Sequence, residues 1–453
     1  MVYDLKGKYI YPAFIESYSG YGIPEQKQSR EGGRRERGPQ NDNPNPGALN
    51  WNQAIHPEYN ACENFDADLK RAEELRKLGF GTALTLQKDG IARGTAALVL
   101  LGEDKPHNLI LKDRVAQMFS FNKGTSTQDY PSSLMGSIAL LRQTYLDADW
   151  YTKVTAREFN ISLEAFNSNR SLPQVFEVKD YRSAFRADKI GEEFNINYII
   201  KGGGDEYKRA AEIKATGSKF ILPLVFPKAY DVSNPFDALN VSLGEMKHWE
   251  LAPANAAILE KAGVEFALTS DGLKEKKEFI PALQKAVKHG LSKEAALRSL
   301  TLVPAAMFGV SDKLGAIKPG MLANFFICSK DFFEKDNQLI ESWVAGKRYI
   351  IRTADSLDLR GKYALSVDTL KGWQLVASGD MNAPDWNLQR DTMKIKMESS
   401  SFSSQWTFKF ETGKGKGMYR LNGSVSEDGK SINGQGQTPA GKWITWTAIK
   451  EGP

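Results

Sequence analysis

Leu172-Pro-Gln-Val-Phe-Glu-Val178, Tyr181 through Phe194, Ile196-Asn-Tyr-Ile-Ile-Lys201, Asp205 through Thr216 and Lys219-Phe-Ile-Leu-Pro-Leu-Val-Phe226 follow one another almost without gaps. Short apolar runs alternate with longer amphipathic ones. The short runs have no polar face, so they read as strands buried on both sides, and the longer ones read as helices. The pattern extends from residue 64 to 308. Upstream, Ala72–Leu78 reads as a helix and Gly79–Leu86 as a strand entered through glycine. Ala96–Leu101 forms a second apolar run, and Leu134, Ile138, Leu141 and Tyr145 recur at helical spacing. Downstream come a helix at Ala254–Ala262, a strand at Val264–Thr269 and helices at 274–289 and 293–307, the last with Ser292 as its N-cap.

Such alternation over more than 200 residues predicts an α/β fold, a parallel sheet with helices outside it. An open doubly wound sheet and a closed barrel share the pattern; the number of repeats favours a TIM-type (β/α)8 barrel over residues 13–308. Functional groups in a barrel sit at the C-terminal ends of its strands.

Residues 8–15 are apolar and aromatic and read as a buried strand, and Asn324–Cys328 and 339–351 read as further strands. Residues 24–47 are almost without apolar side chains, and acids interleave with Arg34, Arg35 and Arg37, so a solvated loop is expected rather than an anion-binding arm. From 362 to 453, Met393–Met397, Trp406–Phe410, Tyr419–Leu421 and Trp443–Ile449 alternate with period two between turns such as Glu427-Asp428-Gly429, predicting a small antiparallel β domain. Its aromatics read as core rather than as a carbohydrate- or lipid-binding face.

Of the 453 residues, 41% are hydrophobic and 25% charged, and the formal net charge is +5. That excess is too small to argue for nucleic acid, and no apolar run approaches the ~18 residues of a membrane span. Cys62 and Cys328 are too far apart in sequence to suggest a disulfide framework or metal cluster. The opening Met1–Ile10 lacks the pattern of a signal peptide; periplasm and cytoplasm both stay open, as does oligomeric state.

Three motifs carry a family resemblance. Pro12-Ala-Phe-Ile-Glu-Ser-Tyr-Ser-Gly20 resembles the Pro-Gly-Phe-Ile-Asp-x-His-x-His signature on the first barrel strand of the metal-dependent amidohydrolase superfamily. Phe266-Ala-Leu-Thr-Ser-Asp-Gly272 is similar to its eighth strand. Ala295–Thr301, Pro304–Ala306 and Leu314–Asn324 resemble the segment leading back into a small β-sandwich. The likeness covers about residues 8–350 and is closest to the imidazolonepropionase-like branch. It implies that residues 1–12 hold a remnant strand of that sandwich and 309–361 its returning strands. It also implies one or two divalent metals such as zinc, held by histidines, with the eighth-strand aspartate as general acid/base.

The departures bear on function. Tyr18 and Gly20 stand where the resemblance expects histidines, Glu16 stands for the aspartate, and Glu177 replaces the fifth-strand histidine. The sixth strand offers Lys201-Gly-Gly-Gly-Asp205 and no imidazole; Asp271 alone is in place. Glycine has no ligand atom and tyrosine is a poor zinc ligand. His56, His107, His248 and His289 fall away from strand ends. Without a metal there is no ready route to a hydroxide near neutral pH. The expectation is therefore a barrel with a vestigial Asp271, no metal and no other cofactor. It would be non-catalytic, structural or substrate-gathering, and would resemble the N-terminal half of a tandem protein whose catalytic amidohydrolase domain lies in the same or a neighbouring polypeptide. The alternative is a hydrolase of C–N bonds with an unconventional site around Asp271 and Glu177, with Glu16, Lys201 and Asp205 as further pocket candidates. Lys201 or Lys123 imitating a carboxylated metal-bridging lysine, and Gly202–Gly204 cradling phosphate, are weaker readings.

Overall fold

The computed structural model describes residues 5–451 except 27–46, 156, 235, 237–238, 335, 352–357, 368–369, 371, 380–383, 403–404, 414, 416 and 427–428. Most of the polar 24–47 segment, with Arg34, Arg35 and Arg37, and the first two residues of the Glu427-Asp428-Gly429 turn lie outside the described residues. The chain divides into two compact units, Met1–Ile351 and Arg352–Pro453.

The first unit opens with β1 (Tyr9–Pro12) and continues into a sheet of β2 (Phe14–Ser19), β3 (Phe80–Thr85), β4 (Ala92–Leu100), β5 (Ile110–Ser120), β6 (Gln174–Glu177), β7 (Ile199–Lys201), β8 (Lys219–Pro223) and β9 (Phe266–Thr269). These eight strands lie side by side in sequence order and form a nearly closed, TIM-like barrel. The barrel differs from the all-parallel expectation at one point: β4 runs antiparallel to both β3 and β5. The reason is connection length. Only six residues, 86–91, join β3 to β4, and a parallel crossover needs a dozen or more.

Among the described residues no ladder joins β2 to β9. The side chain of Glu16 bridges that seam instead: its carboxylate accepts from Tyr18 N at 3.2 Å, from Ser270 N at 2.9 Å and from the Thr269 hydroxyl.

Period-two alternation sorts the barrel's contents. Ile15, Leu98, Met118, Val175, Ile199, Ile221 and Ala267 pack together as an apolar interior, while Phe14, Phe80, Phe119, Phe176 and Phe220 belong to the larger core shared with the helices. Each such side chain contributes about 1.5–3 kcal/mol by leaving water. Two residues beyond Val175 and Ile199, on the same face, come Glu177 and Lys201. A dry floor thus carries a charged layer at the strands' C-terminal ends.

The helix Tyr181–Phe194 spans the residues its pattern indicates and ends on Asn195 in the left-handed conformation. The expected single helix over 293–307 is two, Lys293–Leu300 and Leu302–Met307, broken at Thr301. Ser292 caps the first through a 3.0 Å bond from Ala295 N. β10 (Phe325–Cys328), β11 (Leu339–Val344) and β12 (Lys347–Ile350) join β1 in a four-stranded sheet of order β1-β10-β11-β12.

The second unit is a nine-stranded antiparallel sheet of β13 (Gly361–Ser366), β14 (Gln374–Gly379), β15 (Pro384–Arg390), β16 (Met393–Lys396), β17 (Glu398–Phe402), β18 (Gln405–Glu411), β19 (Met418–Val425), β20 (Ser431–Gln437) and β21 (Trp443–Lys450). β16 and β17 end the strand order at opposite edges, yet Met397 alone joins them, so the sheet curls back on itself. Trp386, Trp406, Phe408, Phe410, Tyr419 and Trp446 fill its interior. Trp443 instead points outward and is 67% exposed. Among the described residues no helix is long and apolar enough to cross a membrane.

Candidate functional site

The barrel mouth holds a connected set of charges. Tyr18, the last residue but one of β2, is fully buried, and its hydroxyl accepts from Arg93 Nη1 at 2.8 Å. Burial pushes the Tyr18 phenol well above its ordinary range, outweighing the pull of Arg93, so it remains neutral. The ammonium groups of Lys88 and Lys201 lie 5.2 and 5.3 Å from the centre of its ring, within cation–π range.

Arg93, on β4, is only 2% exposed. Its Nη1 also donates to Glu177 Oε2 at 2.6 Å, its Nη2 to Ser120 Oγ at 2.9 Å and its Nε to the Gly90 carbonyl at 2.9 Å. Burial alone would lower its pKa, but Tyr18 and Glu177 together raise it. Glu177 faces Lys201 Nζ at 3.6 Å as well. Burial pushes its carboxyl upward, and Arg93 and Lys201 outweigh this to hold it below the usual range.

Asp271 follows β9. It pairs with Lys88 and, at 3.0 Å, with Lys201. Here too burial raises the carboxyl, and the two lysines outweigh it to leave the pKa lowered. Lys276 completes the ring of cations by donating to the Ser270 carbonyl at 2.8 Å.

Tyr18, Glu177, Lys201 and Asp271 therefore come together. Gly20 lies just past β2, where an added Cβ would meet nothing within 4 Å. Glu16 is turned into the β2–β9 seam. Asp205 accepts from Tyr181 N at 2.8 Å and pairs with Lys208 at 3.1 Å, securing the start of a helix away from the mouth network. Lys123 donates to the Gln128 carbonyl at 2.6 Å and serves its own loop. The glycine loop holds an anion of its own: buried Glu206 accepts from Gly203 N at 2.8 Å, Gly204 N at 3.1 Å and Asn255 Nδ2 at 2.7 Å.

The histidines are engaged elsewhere. His56 Nε2 bonds the Asp89 carbonyl at 2.9 Å, His248 Nδ1 pairs with the Tyr207 hydroxyl at 3.1 Å, and His289 Nδ1 satisfies the Lys285 carbonyl at a helix end at 2.8 Å. His107 lies in the short helix Pro106–Leu109.

A divalent metal does not fit this donor set. Among the described residues no three His, Cys, Asp or Glu side chains group so as to hold an ion. The two acids at the mouth already face Lys88, Arg93 and Lys201, and the tyrosine is a neutral phenol. An added cation would meet three positive charges before it met a free carboxylate.

Lys88 and Arg93 escape a motif-based reading. Lys88 lies in a connection and Arg93 at the start of the antiparallel strand, outside the family signatures. A lone arginine in the otherwise uncharged run Ala92–Leu100 is nevertheless a signal, because a charge in a buried strand needs a partner.

An eight-stranded, nearly closed barrel with a small sheet formed by the segments flanking it defines the TIM-like class. Within that class the fold is that of an amidohydrolase: residues 246–349 match the Amidohydrolase family model. The chain is similar in structure to an amidohydrolase from Thermotoga maritima MSB8, at 20% identity and a TM-score of 0.61, covering 78% of this chain and 90% of that one. A prolidase complexed with N-methylphosphonate-L-proline overlaps at 14% identity and a TM-score of 0.42, covering 77% and 89%. A Xaa-Pro dipeptidase with bound methionine in the active site gives 15% identity and a TM-score of 0.41, covering 77% and 88%. Only the first is similar enough to bear on the fold. No curated protein sequence gives a significant match.

Proposed function

We propose that this barrel is a non-hydrolytic, amidohydrolase-like domain in which side-chain cations have taken the place of metal. One observation carries the proposal: Lys88, Arg93 and Lys201 neutralise Asp271 and Glu177 from within the chain. A carboxylate tied to two ammonium groups is a poor base, and nothing among the described mouth residues lowers the pKa of water as a bound divalent ion does. The same pairing weighs against an unconventional hydrolytic site around Asp271 and Glu177. The role left to the domain is structural or ligand-gathering, beside a catalytic amidohydrolase domain in the same or a neighbouring polypeptide.

The test is an assay of amide, dipeptide and cyclic-amide hydrolysis with added zinc, manganese or magnesium, alongside elemental analysis of the purified protein. Turnover should match the protein-free blank and metal should be well below one equivalent. Stoichiometric metal with chelator-sensitive turnover would overturn the proposal. Gentle isolation from the source cells tests the partnered role, which a mass equal to this chain alone would contradict.

A further inference from the structure

The helix Leu134–Lys153 follows β5 and, at 20 residues, is about 30 Å long. It carries two apolar faces. One packs inward, where Leu140, Leu141, Tyr145 and Ala148 are buried in the larger core. At 3.6 residues per turn, Met135, Ala139, Leu146 and Trp150 fall within about 60° of one another on the opposite side. All four are exposed, Met135 by 80%, Leu146 by 52% and Trp150 by 57%. A helix packed on one side only should be polar on the other.

The three large side chains leave on the order of 400 Å² of apolar surface in water, enough to mark an interaction site. Arg142, Gln143 and Asp147 border the stripe, and Arg142 pairs at 2.6 Å with Glu193 of the helix Tyr181–Phe194. A stable interface buries roughly 800 Å² on each partner, about half of it apolar. The stripe with its polar border has that size and make-up.

The stripe also indicates its partner, because it is symmetric about its own middle. Counted from the point between Arg142 and Gln143, Ala139 and Leu146 lie equally far on either side, as do Met135 and Trp150. The same helix turned end for end sets Ala139 opposite Leu146, small against large. It also sets Met135 opposite Trp150, where a thioether meets an aromatic ring favourably. Each copy brings one cation and one anion, Arg142 and Glu193, to that midpoint, so the charges there balance as well.

We propose that this helix is an interface between two copies of the chain, packed antiparallel across a two-fold axis passing near Arg142 and Gln143. One patch serves both sides, as an isologous contact requires. The proposal concerns the outer surface of the barrel and does not rest on the reading of its mouth.

Sedimentation velocity on the full chain tests it. At tens of micromolar the chain should sediment as a dimer. Trp150→Ala should weaken association at least about tenfold. Leu146→Glu should give the monomer and keep the far-ultraviolet circular dichroism of the wild type, since the position faces solvent. Cross-linking reads the orientation. Met135 and Trp150 are 15 residues apart, about 22 Å along one helix, so cysteines at both positions cannot meet within a chain. Under mild oxidation Met135→Cys/Trp150→Cys should form a disulfide-linked dimer, and neither single substitution nor the wild type should. A wild type that stays monomeric overturns the proposal, whether the stripe then meets another polypeptide or another segment of this chain. So does a dimer that Leu146→Glu and Trp150→Ala leave unchanged, or a double cysteine variant that does not cross-link between chains. The non-hydrolytic proposal stands under each of these results.

Discussion

Lys201 Nζ lies 3.0 Å from Asp271 Oδ2, so the C-terminal ends of β7 and β9, next-but-one neighbours in the barrel, share one ion pair. Lys88 reaches the same carboxylate from the β3–β4 connection. The acid that the family motif would assign to proton transfer is here a junction between segments.

Asp271→Ala should therefore destabilise the barrel. Read from sequence, an acid without its metal is poorly compensated, and its removal would cost little or even stabilise. The structure reverses that sign, because the substitution leaves Lys201 mostly buried with only Glu177 to face. Breaking a buried pair costs about 3–5 kcal/mol, but the Lys88 side chain is 39% exposed and solvent screens its share. A loss of roughly 2 kcal/mol in urea unfolding is expected, and a gain in stability would contradict the network. The folded pKa of Asp271 lies below its unfolded value near 3.9, so its contribution is complete above that pH and is lost as pH falls through the folded value. The gap between wild type and Asp271→Asn should stay flat from pH 7 to 5 and close below about pH 4.

How much of this was legible in the sequence depended on what each residue answers to. The alternation of strands and helices, Glu177 and Lys201 at strand ends, and Asp271 after the last strand all follow from local pattern or motif. The reversal of β4 does not, because Ala92–Leu100 is buried throughout and has no polar face to reveal direction. Lys88 was illegible for a related reason, since a salt bridge between residues 183 positions apart leaves no periodic trace, whereas Arg93 stands out as a charge in an apolar run without revealing its partners.

His56 should govern part of the acid response. Burial lowers its pKa from 6.5 to about 4. The unfolded chain then takes up a proton that the folded chain refuses, so the contribution is complete above pH 6.5 and is lost as pH falls toward 4. The loss is about 3 kcal/mol at most. His56→Gln, which keeps a donor for the Asp89 carbonyl, should be flatter over that window. Parallel stability curves for the two proteins would contradict the assignment.

Glu206→Ala should empty the glycine-loop cradle and leave the Gly203 and Gly204 amides and the Asn255 amide without their acceptor. A loss of about 3 kcal/mol follows if these donors stay dry. Formate added at high concentration should recover part of it in a thermal melt of the variant and leave the wild type unchanged. Equal shifts in both proteins would show that the cradle is not an anion site.

Manganese titration calorimetry on the wild type and on Lys88→Ala/Lys201→Ala tests most directly whether side-chain cations stand in for metal. Removing both ammonium groups frees Asp271 and part of Glu177, a pair of hard oxygen donors suited to a hard divalent ion. The wild type should give no binding heat, and the double variant should take up one ion weakly, at about 10⁻⁴–10⁻³ M. Stoichiometric binding by the wild type at micromolar affinity or better would contradict the replacement.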